Sequence, residues 1–281
     1  MIDYFIRLVA VQLFFVSDTE IRIMLPFSSV NLEMDESFQK STNETLASVK
    51  ATSKDSFVIV DLDETLFLRN SSQAYLNCAY PRIVGLILLL AVKATKPWRC
   101  LPAPFNQNSV FRDWCLIVTV TVVLPWTWFV WRSRAKDLAK TYCNMPLADA
   151  VEASEASLVI ATRGFSWVVN PLIRHLPITS VEDGEYEVVA CRFWLGVLDR
   201  AKSKLSMVQA KFGESAVARS TVVTDSAIDQ QLLAAANTPC LTVWPEATFI
   251  PAMSDISPPL LRRLLRRKKQ ETPESDEGIT P

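Results

Sequence analysis

The sequence predicts an α/β fold, a Rossmann-like three-layer α/β/α arrangement on a mostly parallel sheet with a helical, hydrophobic cap insertion. Three observations carry this expectation. Short apolar runs that end in polar residues recur at Phe57–Asp63, Ser157–Thr162 and Thr221–Asp225, as strands buried on both faces do. Helix-patterned segments follow them, and such alternation argues for parallel strands covered on both sides. A long insertion, 69–154, interrupts the rhythm with two uncharged hydrophobic runs.

Composition narrows the function classes. The chain has 281 residues, 49% hydrophobic and 21% charged, which excludes global disorder and gives ample material for a core. A formal net charge of −1 argues against a surface built throughout for nucleic acid, and no specific nucleic-acid partner is expected. The mean hydropathy of +0.18 is high for a soluble domain, so either the core is rich or part of the chain meets lipid. Six scattered cysteines without a CxxC pair read as reduced, buried thiols. The single histidine, His175, excludes a multi-histidine metal site, and a Ser-His-Asp triad anywhere else in the chain. It falls in a predicted helix, Phe165–Leu176, where a structural role is expected.

The elements follow in order. Residues 1–55 read as an N-terminal extension and linker. An apolar stretch, Leu8–Val16, lacks the basic start and small-residue cleavage site of an export signal. Residues 30–56 are polar and read as a linker or a solvated helix. Phe57–Asp63 opens a core of 56–68 plus 155–250. Within the cap, Ile83–Val92 and Trp114–Trp131 are uncharged and flanked by basic residues. They suggest one or two membrane segments, about 83–101 and 114–131, with tryptophans 98, 114, 126, 128 and 131 near their ends. The alternative is a hydrophobic hairpin packed on the rest of the protein. After a polar helical stretch, Arg134–Ala156, come the strand Ser157–Thr162 and the helix Gly164–Leu176. Ile178–Glu182 and Tyr186–Trp194 read as two strands joined at Asp183-Gly184. Helix Lys202–Gly213, strand Thr221–Asp225, helix Ala227–Ala236 and strand Cys240–Trp244 complete the core. The tail, 251–281, is basic at Arg262–Lys269 and then acidic.

In parallel sheets ligands gather at the carboxyl ends of strands. Asp61 and Asp63, Thr162, and Asp225 end three predicted strands and are therefore expected to converge. Side chains alternate along a strand, so Asp61 and Asp63 share a site only if the chain bends immediately after Asp61.

These residues resemble the motifs of the haloacid dehalogenase superfamily of aspartate-nucleophile hydrolases. Asp61-Leu62-Asp63-Glu64-Thr65 follows an apolar strand and is similar to the superfamily's Asp-x-Asp-x-Thr signature. Thr162 ends Leu158-Val159-Ile160-Ala161-Thr162. Lys204 precedes Phe212-Gly213, with Lys202 as its competitor. Asp225-Ser226-Ala227-Ile228-Asp229 resembles the Asp-Ser-x-x-Asp motif, with Thr224 where a glycine is usual. The resemblance covers 57–68 and 157–245. It implies Asp61 as nucleophile through an aspartyl-phosphate and Asp63 as general acid and base. Thr162 and Lys204 would hold the phosphoryl group. Asp61, Asp63, Asp225 and Asp229 are the expected metal set for Mg2+, with a backbone carbonyl and waters. Asp63 favours phosphoryl transfer over carbon–halogen chemistry. The insertion sits where the superfamily's substrate-selecting cap lies, and the layout resembles phosphatase-like domains fused to membrane prenyltransferases.

The expectation is a membrane-associated Mg2+-dependent phosphatase with its catalytic core on the cytoplasmic side. Its substrate is a phosphorylated small molecule or a lipid-linked phosphate. The alternatives are a catalytically idle membrane adaptor and a phosphotransferase.

Overall fold

The computed structural model describes residues 36–100, 109–193, 199 and 202–247. The stretch Leu8–Val16, Leu101 at the end of the first expected membrane segment, Trp194 and the basic run Arg262–Lys269 lie outside them. Helix α1 (Thr42–Lys50) precedes strand β1 (Phe57–Asp61), and the insertion supplies α2 (Ser71–Leu76), α3 (Arg82–Thr95), α4 (Ser109–Val123) and α5 (Thr127–Tyr142). Helix α6 (Met145–Ala153), β2 (Ser157–Phe165), α7 (Ser166–Ile173), α8 (Thr179–Glu182) and β3 (Tyr186–Cys191) follow. The chain then forms α9 (Lys204–Phe212), α10 (Glu214–Val217), β4 (Thr221–Thr224), α11 (Gln230–Ala235) and β5 (Thr238–Leu241).

The five strands form one sheet in the order β3-β2-β1-β4-β5, every neighbouring pair parallel. Residues alternate between its faces with the period of two that a strand imposes. Val58, Val60, Leu158, Ile160 and Val223 enter one apolar cluster, with α1, α6, α7 and the insertion helices. Ile59, Val159, Ala161 and Val222 enter a second, with Val208, Val217, Leu232 and Leu233 from α9, α10 and α11. The expected three-layer α/β fold is the observed one. Chain order reverses about β1, which pairs with β2 on one side and β4 on the other. That reversal opens a crevice at the carboxyl ends of the central strands.

Three local expectations are corrected. Of the two readings of 30–56, the helix is the one observed at 42–50, and it is not wholly solvated. Ser41 and Glu44 form a capping box that satisfies donors at the start of α1, and Thr45 and Val49 are buried. Ile178–Glu182 is not a strand. Residues Thr179–Glu182 make a helical turn, closed by the Asp183 N–H on the Thr179 carbonyl at 2.9 Å. No hairpin forms, because β3 pairs parallel to β2 and is reached by a helical crossover.

The third correction concerns Trp114–Trp131, which is not one straight segment. Pro125 lacks a backbone donor and crowds the preceding turn, and α4 and α5 are bent by 114° about the break that contains it. Among the described residues no single helix is long and apolar enough to cross a membrane. Most of α4 lies inside the protein: Trp114, Leu116, Ile117, Val118 and Val120 are buried in the same cluster as β1 and β2. Trp131 is fully buried, donating its indole N–H to the Val168 carbonyl at 2.9 Å and meeting Tyr75 edge-on. The run Ile83–Val92 lies in α3 and behaves differently. Gly85, Leu89 and Val92 face inward, whereas Ile83, Val84, Ile87 and Leu90 face out. Gly85 permits this seat, because a Cβ there would stand 2.6 Å from the Ala79 Cβ.

The two runs should therefore respond oppositely to truncation. Ile117→Ala is expected to cost about 2–5 kcal/mol of stability as a buried cavity forms. Ile87→Ala should stay within about 0.5 kcal/mol. Urea unfolding of both variants checks this, and equal losses would contradict the assignment of faces.

Candidate active site

Asp61 is the last residue of the central strand, and the chain bends at once. The Leu66 N–H returns to the Asp61 carbonyl at 3.2 Å and the Phe67 N–H to the Leu62 carbonyl at 2.8 Å. Glu64 takes a left-handed backbone conformation with φ of 63°, a strain of about 1–2 kcal/mol for a residue with a side chain. The bend sets the Asp63 carboxylate beside α2, where its Oδ1 accepts the Ser71 N–H at 2.6 Å. Asp61 and Asp63 thus line one cavity, of about 240 Å³, with Thr162, Lys204, Asp225 and Asp229. All six residues expected at the site meet there.

Its centre is a buried ion triad. Lys204 Nζ lies 2.8 Å from Asp61 Oδ2 and 2.5 Å from Asp229 Oδ2, with all three side chains nearly removed from solvent. Lys204 opens α9, capped by Ser203, so its side chain reaches across the carboxyl ends of β1 and β4. Burial opposes the ammonium charge, but the two carboxylates outweigh it and raise the Lys204 pKa. Burial raises Asp61 to about 7, with Lys204 pulling it down and Asp229 pushing it up. Lys202 has a different partner. Its side chain is half exposed and lies 3.8 Å from Asp199, which a forked contact from Arg192 also holds.

Thr224 is a departure from the resembled motif that the structure gives a partner set. Its hydroxyl lies 2.9 Å from Asp229 Oδ2 and 3.3 Å from Asp61 Oδ2. Thr162 is buried and lines the cavity, its Oγ1 accepting the Gly164 N–H at 2.9 Å. Gly164 leaves room for this turn, since a Cβ would come within 2.6 Å of Val169 and 3.2 Å of the Thr162 hydroxyl. Arg163 also lines the cavity, and His175 does not.

Sequence reasoning missed the supports of Asp225. Thr65 Oγ1 donates to Asp225 Oδ1 at 3.0 Å and accepts the Asp225 N–H at 3.1 Å, a reciprocal lock between two strand ends. Asn144 donates its amide to the Thr65 carbonyl at 2.9 Å and its own N–H to the Leu66 carbonyl at 2.8 Å. The position of Thr65 inside the Asp61–Thr65 motif was the available signal. Nothing in the sequence marks Asn144, 79 residues distant.

The cavity is strongly acidic. Asp61, Asp63, Glu64, Asp113, Asp225 and Asp229 line it, against Lys204 and Arg163. Burial raises the Asp225 pKa, and burial with the charges of Asp225 and Asp63 raises that of Glu64. An anionic ligand therefore needs a cation to enter, and hard carboxylate oxygens suit one such as Mg2+. Among the described residues no group of three or more His, Cys, Asp or Glu side chains stands at metal-holding spacing. Asp229 is committed to Lys204 and Thr224, and one Asp63 oxygen to α2.

The chain matches no family model, no curated protein and no solved structure. The triad itself sets a test. Lys204→Ala leaves two buried carboxylates without their cation and should cost about 3–5 kcal/mol of stability. Removing the cation takes away the charge that pulls the Asp61 pKa down, so that carboxyl rises further above its unfolded value. The deficit is therefore full at mildly alkaline pH and shrinks as falling pH protonates Asp61. Urea unfolding across pH checks this, and a pH-independent deficit would contradict it.

Proposed function

We propose that this chain is a Mg2+-dependent phosphatase that hydrolyses a phosphoric monoester through an aspartyl-phosphate on Asp61, as its resemblance to the haloacid dehalogenase superfamily implies. The observation that carries this reading is the buried Asp61 carboxylate, held by Lys204 at the carboxyl end of the central strand and facing Asp63 and Thr162 across one cavity. An Asp61 oxygen attacks phosphorus, and the bond to the ester oxygen breaks as that oxygen takes a proton from Asp63. Water then attacks the aspartyl-phosphate and gives a proton to Asp63. Phosphate leaves and Asp61 is regenerated. Thr162 and Lys204 receive the negative phosphoryl oxygens. Asp61 and Asp225 would hold the Mg2+, with a backbone carbonyl and waters. The ion would supply charge neutralisation for an anionic substrate in an acidic cavity.

The same reading includes docking on a membrane by a surface face, with the catalytic core on the cytoplasmic side. Ile83, Val84, Ile87 and Leu90 project from α3, and Trp126 and Phe129 project beside the α4–α5 break. The two groups adjoin, because the Trp126 indole donates to the Tyr80 carbonyl just before α3. Between Glu64 and Asp137 the chain carries nine cations and one acid, Asp113. An apolar face in an almost acid-free basic segment fits an anionic bilayer surface, with the helix lying in the interface.

Wild type with Mg2+ should hydrolyse p-nitrophenyl phosphate, and Asp61→Asn should lower the rate by at least about a hundredfold. Equal rates would end the reading. In flotation assays the chain should bind phosphatidylcholine vesicles that contain phosphatidylserine. Ile87→Asp with Leu90→Asp should weaken that binding roughly tenfold without changing the unfolding curve. Undiminished binding by the double variant would overturn the docking face.

A further inference from the structure

A second cavity, of about 160 Å³, lies beside the first and has the opposite electrostatic character. Arg69, Asn70, Ala74, Asn77, Cys78, Arg134 and Leu138 line it, two guanidinium groups and no carboxylate. Asn70 lines both cavities, so the two are neighbours. The Arg69 guanidinium is laid over the Tyr142 ring at 3.4 Å, which fixes its plane. Its Nε is shut away from solvent and has no hydrogen-bond partner within the protein. A buried charged donor without an acceptor is unfavourable, and the residues that line the cavity bring no carboxylate to offset the Arg69 charge. Arg134, on α5, lines the same cavity and hydrogen-bonds the Cys78 thiol. Burial raises the pKa of that thiol, while Arg134 and Arg82 pull it back, as a positive local field does.

We infer that this cavity is a substrate subsite for a second anionic group, a carboxylate or phosphate, on a molecule whose phosphoryl end lies at Asp61. The division of charge supports it. The first cavity accepts an anion only with a cation beside it, whereas Arg69 and Arg134 meet one directly. Asn70 stands at the join, its side chain capping α2 and hydrogen-bonding Glu64. Ala74, Cys78 and Leu138 give the second cavity an apolar wall, suited to a carbon chain between the two charged ends. The substrate class is thus a phosphate monoester with a further acid, free or within a lipid headgroup.

This inference rests on the proposed function for the seat of the phosphoryl end, and a binding measurement separates the two. Calorimetric titration with Mg2+ would compare phosphonocarboxylates of increasing chain length with alkylphosphonates of the same lengths. At one length the wild type should bind the phosphonocarboxylate about tenfold more tightly. Arg134→Gln, on an exposed side chain that leaves the fold intact, should abolish the difference and leave alkylphosphonate binding unchanged. Equal affinities at every length in wild type would overturn the subsite, as would a preference that survives in Arg134→Gln. If the preference is present but no phosphate ester is hydrolysed, the phosphatase reading fails and the subsite stands. Hydrolysis without preference does the reverse. Displacement of the phosphonocarboxylate by a monomeric short-chain phosphatidylinositol monophosphate, which carries a phosphate monoester and a further acid, would place the second acid in a lipid headgroup.

Discussion

Three charges removed from water govern the centre of this molecule. Lys204, Asp61 and Asp229 arrive from three elements, α9, the end of β1 and the turn after β4, and none is tolerable there without the others. The contact ties a helix on one face of the sheet to the two strands beside the crevice. It also accounts for Thr224. A glycine at that position would leave Asp229 and Asp61 without the hydroxyl that lies within 3.3 Å of each. The threonine that departs from the resembled motif is part of the same network. Buried ion clusters of this kind are seldom the most stable filling of their space.

Around that centre the packing is arranged by strand alternation. Odd and even residues of β1 and β2 feed two clusters, and the insertion joins only one of them. The insertion is therefore no separate lobe. Helix α6, at its end, packs on α1 and adds Leu147, Ala148, Ala150 and Val151 to the core. Helix α2 gives Ser72 and Gln73 to the cavity and α4 gives Asp113. The segment expected to select substrate forms a wall of the site while its far side, α3, faces outward.

Legibility followed the range of the interaction. Strands β1, β2 and β4 were readable because continuous apolar runs ending in polar residues have few other uses in a parallel sheet. The bend after Asp61 was required by side-chain alternation and is present, at the expense of a strained Glu64. The turn at Thr179–Glu182 was misread because Ile178 and Val181 suit a strand, and only the crossover from β2 to β3 decides otherwise. Thr65 and Asn144 were missed as supports because a polar residue in a turn usually serves its own backbone. Their actual partners are set by tertiary approach.

Hydropathy alone does not separate α3 from α4. The run with more apolar residues is the one that lies mostly inside, through Trp114–Val120, because Pro125 folds α5 back and lets α4 pack against α2 and the sheet-side cluster. The shorter run is fixed along one stripe, Gly85, Leu89 and Val92, with Leu88 packed at its edge, while Ile83, Val84, Ile87 and Leu90 stay exposed. The high mean hydropathy thus has two sources with opposite consequences, one that stabilises the fold and one that the fold leaves exposed. Arg134 lies on α5 only five residues beyond the exposed Phe129, so the basic cavity and the apolar face are served by the same helix.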